Sequence, residues 1–165
     1  MGGSMWDYVT PHEGSVEQSL RALQQKVFDQ EFAHGCNPDY FGSPMETYGS
    51  LEELWADEEF MENVGTHTVI DVYRLVAVDE GLGAYEQYNT IRPLSDERLQ
   101  HFFATTKPSL RQYQEAIDHS NHAMNSSRVE HVLTDEADAG WTARYVVLYT
   151  DGKPSHMGVF GSSGD

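Results

Sequence analysis

Three polar side chains at close spacing, His67, Asp71 and Tyr73, are the first candidates for chemistry in this chain. They fall within a run of β-branched and aromatic residues, 66–78, that predicts a strand. Alternation along a strand places all three on one largely apolar face, so Asp71 is expected in the core. A buried carboxylate must be hydrogen-bonded, paired or protonated. Two interpretations stay open: a pocket acid, base or ligand, or a structural carboxylate, which is the commoner case.

Spacing limits what these residues can do alone. His67 and Asp71 are four residues apart, roughly 13 Å along a strand, so they cannot form a dyad by themselves. A pocket would need further groups, and Arg144 and His156 from the C-terminal part of the chain are the candidates. The sequence has no Gly-rich phosphate loop, no Gly-x-Ser-x-Gly and no His-Glu-x-x-His. Whether the protein is an enzyme stays open, because catalytic groups also assemble across a fold. No cofactor is expected.

A second cluster, Asp118, His119 and His122, has the residue types of a metal site. Spacings of three and four residues can bring such side chains to one side of a helical turn, and two histidines with a carboxylate can bind zinc or iron. The apolar stripe of the predicted helix lies on the opposite side, which places the histidines towards solvent. Cys36 is the single cysteine, so there is no cysteine-built site and no intramolecular disulfide. We therefore expect no metal centre.

Charge is the strongest global feature. Asp and Glu number 27 against 10 Lys and Arg, which gives a net charge of −17. Such a surface repels nucleic acids and anionic membranes and attracts basic proteins, although general solubility would also explain it. The helix predicted over 50–61 is the most acidic, and its Glu52, Asp57, Glu58 and Glu59 are the candidate contacts for a basic partner.

Size and composition predict a globular chain. The 165 residues, 39% of them apolar, suit a single domain over 1–165. A domain of this size buries about two-thirds of its unfolded surface and needs no disulfide or metal. No apolar run reaches membrane-spanning length and no signal segment is visible, so a cytoplasmic location is the default. Residues 1–4 are interpreted as vector-derived, with the native start at Met5, and residues 161–165 as a flexible tail.

Local signals place the elements that must position these residues. Capping signatures at Ser15 and Ser50 predict helix starts, a third helix is predicted to begin at Ser95, and Pro108 suits the first turn of a fourth. Residues 5–9 are predicted to form an edge strand.

The clearest local structure is a hairpin. Asp151-Gly152, between two apolar runs, predicts a type I′ turn. With that turn, Val147 is expected opposite His156. Pro154 cannot donate a ladder hydrogen bond, which indicates that the second arm is an edge strand or that Pro154 lies at its start.

Two stretches resemble segments of small bacterial proteins. Gly65-Thr66-His67-Thr68-Val69-Ile70-Asp71 resembles a "GTHS-I-LDI" stretch in that group. The run 149–154 is similar to its "YKDG-P" turn, and 161–165 to its Gly-Ser-Gly-Asp ending. The resemblance covers about a quarter of the chain and carries no activity. It implies that His67, Thr68, Asp71 and the hairpin form one unit.

The predicted fold is α+β: an antiparallel sheet of four or five strands, with 66–78 at its centre and four helices packed on it. Two functions are carried forward. The first is a non-catalytic acidic protein that docks a basic partner, in the manner of an immunity or inhibitor protein. The alternative is a small enzyme or ligand-binding domain with a pocket at His67, Asp71 and Tyr73.

Overall fold

The computed structural model describes residues 4–32, 48–77, 84–124, 130–137 and 139–164. In those ranges the chain forms one five-stranded sheet and five α-helices. The strands are β1 Ser4–Pro11, β2 Arg74–Leu75, β3 Thr90–Pro93, β4 Thr142–Thr150 and β5 Lys153–Ser163. The helices are α1 Val16–Glu31, α2 Leu51–Ala56, α3 Glu58–Asn63, α4 Asp96–Phe103 and α5 Leu110–Met124. No helix in these ranges is both long enough and apolar enough to span a bilayer.

The sheet is mixed, with the strand order β1-β5-β4-β3-β2. β5 pairs antiparallel with β1 and β4, whereas β3 pairs parallel with both β2 and β4. The predicted α+β class is confirmed, but a purely antiparallel sheet is wrong. The parallel half arises because the chain leaves β3, crosses over through α4 and α5, and enters β4 in the same direction.

The predicted central strand over 66–78 is also wrong. Among its described residues, 66–77, only Arg74–Leu75 is a strand, and it lies at the sheet edge, while β4 occupies the centre. Val69–Asp71 is instead a turn of 3-10 helix, begun by the Thr68 side chain, which accepts from the Ile70 N–H. Val69, Ile70 and Val72 of this run are buried as expected, but in a turn between helix and sheet, whereas residues 73–75 are exposed. Tertiary packing here overrides strand propensity.

The capping predictions are confirmed. Ser15, Ser50 and Ser95 each accept a hydrogen bond from a backbone N–H three residues on, and each precedes a helix. The acidic helix predicted over 50–61 is divided into α2 and α3, because the Asp57 side chain accepts from the Phe60 N–H and caps a new helix there.

The predicted hairpin is present, with a register difference. Asp151 and Gly152 have φ of 51° and 74°, as a type I′ turn requires. An irregularity between Leu148 and Tyr149 leaves Ser155 as an extra residue, so Leu148, and not Val147, lies opposite His156. β5 is an interior strand and not an edge strand, but Pro154 lies at its start, as the alternative inference had it: β1 pairs with β5 only from His156 onward. Residues 161–163, expected as a tail, form the buried end of β5.

Helices cover both faces of the sheet. On one face, α1, α2, α3 and the 3-10 turn pack on alternate residues of β4 and β5, among them Ala143, Met157 and Val159. On the other face, α4, α5 and the 3-10 segment Leu133–Ala137 pack on the intervening residues, among them Val146 and Phe160. Residues 73–77 therefore lie where the layer formed by α1, α2 and α3 reaches the β2 edge of the sheet.

Candidate functional site

Asp71 is fully buried, and both of its carboxylate oxygens accept hydrogen bonds from within the protein. Its Oδ1 accepts from the Thr66 backbone N–H at 2.7 Å and from Thr66 Oγ1 at 2.8 Å, and its Oδ2 accepts from Ser163 Oγ at 2.8 Å. Thr68 extends the cluster through a 2.8 Å contact between its Oγ1 and Thr66 Oγ1. We call Asp71, Thr66, Thr68 and Ser163 the Asp71 cluster. Three donors satisfy a buried carboxylate, which is the arrangement of a structural group.

The Asp71 cluster joins distant parts of the chain. Ser163 accepts from Trp6 Nε1 at 3.0 Å, which links β1 to the end of β5, and Asn89 Nδ2 donates to the Asp71 carbonyl at 2.9 Å. Two of the segments that carry the resemblance, 65–71 and 161–165, meet at this point. The 149–154 turn lies at the opposite end of β5, so it is not part of the same unit.

The other predicted pocket residues do not converge on Asp71. The 3-10 turn breaks the strand alternation, so Tyr73 is directed outward and is 48% exposed. The His67 ring lies near Trp141, with centroids 6.2 Å apart. Arg144 is on the α5 face of the sheet, where its Nε donates to the Glu136 carbonyl at 2.8 Å. Neither cavity described below is lined by Asp71.

His156 is far from the Asp71 cluster. Its Nδ1 lies 3.0 Å from Ser155 Oγ beside the hairpin turn. Seven residues of β5 separate it from Ser163, roughly 23 Å along a strand. The five predicted pocket residues are thus distributed over both faces and both ends of the sheet.

The predicted metal ligands lie on the exposed side of α5. His122 Nδ1 is 2.7 Å from the Asp118 carbonyl, and His119 Nε2 is 3.6 Å from Glu130 Oε1. Among the residues that the structure describes, no three His, Cys, Asp or Glu side chains are placed to share a metal ion. The Asp118 carboxylate has another effect: together with partial burial, which is the larger cause, it raises the pKa of Asp7 on β1.

A cleft of about 580 Å³, which sequence reasoning missed, lies between α4, α5 and the chain at 130–133. Its walls include His101, His119, His131 and Phe102. Several of these side chains contact one another or neighbouring residues. His131 stacks on Phe102, and its Nε2 is 2.8 Å from Glu136 Oε1. The same oxygen accepts from Arg98 Nε at 2.9 Å. We assign no ligand to this cleft.

A larger groove of about 880 Å³ lies between α1, α2 and β2. We call it the Trp55 groove, and its walls include Leu20, Arg21, Gln24, Trp55, Tyr73 and Leu75. Trp55 is held by a 2.9 Å hydrogen bond from its Nε1 to the Ile70 carbonyl, and the Tyr73 ring lies 6.0 Å away. The Arg21 guanidinium lies 4.8 Å above the indole. The groove is therefore preformed, with a fixed aromatic floor.

Two exposed apolar side chains form the outer wall of the Trp55 groove. Tyr73 is 48% exposed and Leu75 is 37% exposed, next to the partly buried Trp55. Isolated exposed apolar residues are ordinary, but two neighbouring ones next to a partly buried tryptophan and a cavity are characteristic of binding surfaces. The sequence predicted Tyr73 on a buried strand. Only the position of β2 at the edge places it beside Trp55.

Acidic side chains border the groove. Glu17 lines it, and Glu52 of α2 forms an ion pair with Arg21 at its rim. Glu58 and Glu59 are exposed in the first turn of α3. Asp57 has an internal role: it accepts from the Phe60 N–H at 3.0 Å and from the Tyr48 hydroxyl at 2.8 Å, which lowers its pKa. Three of the four predicted acidic contacts are thus exposed carboxylates: Glu52 lies at the groove rim, and Glu58 and Glu59 lie on the next helix along the chain, α3.

Comparisons with protein-family models, with curated proteins and with solved structures found no match to this chain. Function is therefore inferred from the geometry and charge of the described residues alone.

Proposed function

We propose that this protein is a non-catalytic binding protein that docks a basic protein partner, in the manner of an immunity or inhibitor protein. The docking face consists of the Trp55 groove and the exposed carboxylates of α2 and α3. One observation carries the proposal: exposed Tyr73 and Leu75 stand against Trp55 in a preformed groove with acidic side chains at its rim. The single cysteine makes the cytoplasm the favoured compartment.

The apolar part of this face suits an interface centre. Trp and Tyr are the residue types that most often dominate binding energy, because they desolvate large rigid surfaces at low entropic cost. Trp55 is already fixed by its hydrogen bond to the Ile70 carbonyl. A partner side chain that enters the groove would therefore meet an indole of fixed position, next to the Arg21 guanidinium that lies over it.

The charge selects the class of partner. The chain carries −17, so a basic protein is attracted over a long range and an acidic one is repelled. Glu52 places part of that charge at the groove rim, and Glu58 and Glu59 add exposed carboxylates on the following helix, α3. Rim charges of this kind mainly raise the association rate and make the complex sensitive to salt.

The alternative, a small enzyme or ligand-binding domain at His67, Asp71 and Tyr73, loses support. Its three residues face different surroundings, and the Asp71 carboxylate is fully buried with three internal donors. We therefore do not pursue a catalytic role for Asp71.

Capture of the partner at two salt concentrations, with identification by mass spectrometry, is the first experiment. A captured protein does not by itself support the proposal, so its affinity is then compared between matched charge-reversal variants. Glu58→Lys with Glu59→Lys reverses two charges in the first turn of α3, and Asp96→Lys with Glu97→Lys makes the same change in the first turn of α4. We expect the α3 pair to reduce the low-salt affinity of the purified partner about tenfold, with little effect of the α4 pair. Equal losses from both pairs would leave only a nonspecific charge effect and would contradict the proposed face.

A further inference from the structure

β2 leaves one side of its backbone open. The Arg74 N–H donates to the Asn89 carbonyl and the Val76 N–H to the Ile91 carbonyl, each at 3.0 Å, so these residues face β3. Because hydrogen-bonding direction alternates along a strand, the N–H and C=O of Leu75 point the opposite way. Within the described part of the chain, β2 is the last strand and nothing pairs with that outer side.

This open edge is also the wall of the Trp55 groove. Leu75, whose peptide groups face outward, and the preceding Tyr73 both have their side chains exposed along the groove. Proteins usually protect an edge of this kind by keeping it short, with charged side chains or proline, or by covering it. β2 is two residues long and its Arg74 is exposed, but Arg74 is not among the residues that line the groove. Here the exposed backbone and the exposed apolar side chains coincide.

We propose that the partner contributes an extended segment that adds to the outer edge of β2. This inference rests on the proposed function and specifies how the docking face is used. The segment hydrogen-bonds to the Leu75 peptide groups, and every second side chain enters the Trp55 groove over the indole. Basic side chains of the same segment lie towards Glu17 and Glu52 at the rim. A second copy of this chain is a poor occupant, because each copy carries −17.

A pair of substitutions at Leu75 separates strand addition from simple side-chain docking. Leu75→Ala removes only the side chain from the groove. Leu75→Pro also removes the outward N–H and obstructs a neighbouring strand, but it breaks no bond to β3, because the Leu75 N–H does not face β3. We expect Leu75→Pro to bind the purified partner about tenfold more weakly than Leu75→Ala, the equivalent of one to two hydrogen bonds.

Each other outcome is informative. Equal affinities for the two Leu75 variants, both weaker than wild type, would overturn strand addition and leave the docking face intact. Affinities equal to wild type for both would overturn the docking face as well. A dimer of the free protein in analytical ultracentrifugation that Leu75→Pro dissociates would show that a second copy occupies the edge, and would overturn the partner segment.

Hydrogen exchange on the wild-type protein gives a readout that does not depend on how the proline variant folds. The Leu75 amide is expected to exchange rapidly in the free protein and at least about tenfold more slowly in the complex. The Arg74 and Val76 amides, already bonded to β3, should change less. An unchanged Leu75 amide in a saturated complex would overturn the proposal.

Discussion

The segment from Gly65 to Leu75 builds two neighbouring regions of opposite character. Its first part forms the Asp71 cluster, in which a fully buried carboxylate is satisfied by Thr66 and Ser163. Its last part forms the outer wall of the Trp55 groove, where Tyr73 and Leu75 remain exposed. The two regions meet at the Ile70 carbonyl, which accepts from Trp55 Nε1.

The difference indicates which region binds a partner. A buried polar group with all its hydrogen bonds made holds the fold together and offers nothing to a ligand. An exposed apolar cluster beside a cavity behaves in the opposite way, because the free energy falls when a partner covers its apolar surface. Substitutions in the Asp71 cluster should therefore change stability, and substitutions in the Trp55 groove should change binding.

The largest effect is expected for Asp71→Ala. It leaves the Thr66 N–H and the hydroxyls of Thr66 and Ser163 without their shared acceptor, which should lower the free energy of unfolding by about 2–4 kcal/mol. Urea denaturation measures this loss, with Asp118→Ala on exposed α5 as a control expected within about 0.5 kcal/mol of wild type. Unchanged stability with loss of partner binding would instead make Asp71 a functional residue.

Gly65→Ala should come next. Gly65 has φ of 69°, and an added Cβ would lie 2.2 Å from Trp141 Cζ3 and 3.2 Å from Asp71 Oδ1. Backbone strain and overlap together should cost about 2–3 kcal/mol of unfolding free energy. Gly152→Ala is a matched control, because Gly152 has φ of 74° but no atom within 4 Å of the added Cβ. The same loss at both positions would show that close packing against Trp141 contributes nothing.

Arg21→Gln should have a smaller effect on stability, and it should strengthen binding where the other groove substitutions weaken it. Arg21 pairs with Glu52 and lies 4.8 Å above the Trp55 ring, so the substitution removes the positive charge at the groove. The loss of an exposed cation–π contact should cost about 0.5–1 kcal/mol of stability. Affinity for a basic partner should rise at low salt, since the groove becomes more acidic, as calorimetric titration can measure. Weaker binding would indicate that Arg21 itself contacts the partner.

The smallest effect concerns Asp7, on the face of the sheet opposite the groove. Partial burial and the Asp118 carboxylate raise its pKa above the usual 3.8. Since the folded value exceeds the unfolded one, ionised Asp7 disfavours the fold at neutral pH, and this penalty disappears below about pH 3.8. Asp7 is exposed, so solvent screens the penalty, and Asp7→Asn should stabilise the protein by only a few tenths of a kcal/mol at pH 7 and not at pH 3.5. Denaturation at both pH values measures the difference, and a gain that persists at the lower pH would contradict this cause.

Features set by neighbouring residues could be predicted from the sequence. The caps at Ser15, Ser50 and Ser95 and the Asp151-Gly152 turn each depend on a few adjacent positions, and all are present. The α+β class also follows from such local signals.

The structure of the 66–78 run could not be predicted in this way. Its turn is stabilised by Ser163, 92 residues from Asp71, and its edge position depends on the crossover between β3 and β4. A buried turn and a buried strand have the same apolar composition, so periodicity does not separate them. The Trp55 groove was missed for this reason, whereas the acidic rim was visible because charge is a property of composition.

The affinity of the purified partner for Tyr73→Ala and Tyr88→Ala, measured side by side, tests the docking face most directly. The two tyrosines are 48% and 46% exposed, but Tyr73 alone of the pair lines the groove. The proposal predicts a loss of about 2 kcal/mol, roughly thirtyfold in Kd, for Tyr73→Ala, and a loss below about 0.5 kcal/mol for Tyr88→Ala, with both variants folded. Equal affinities for the two variants would contradict a partner seated in the Trp55 groove.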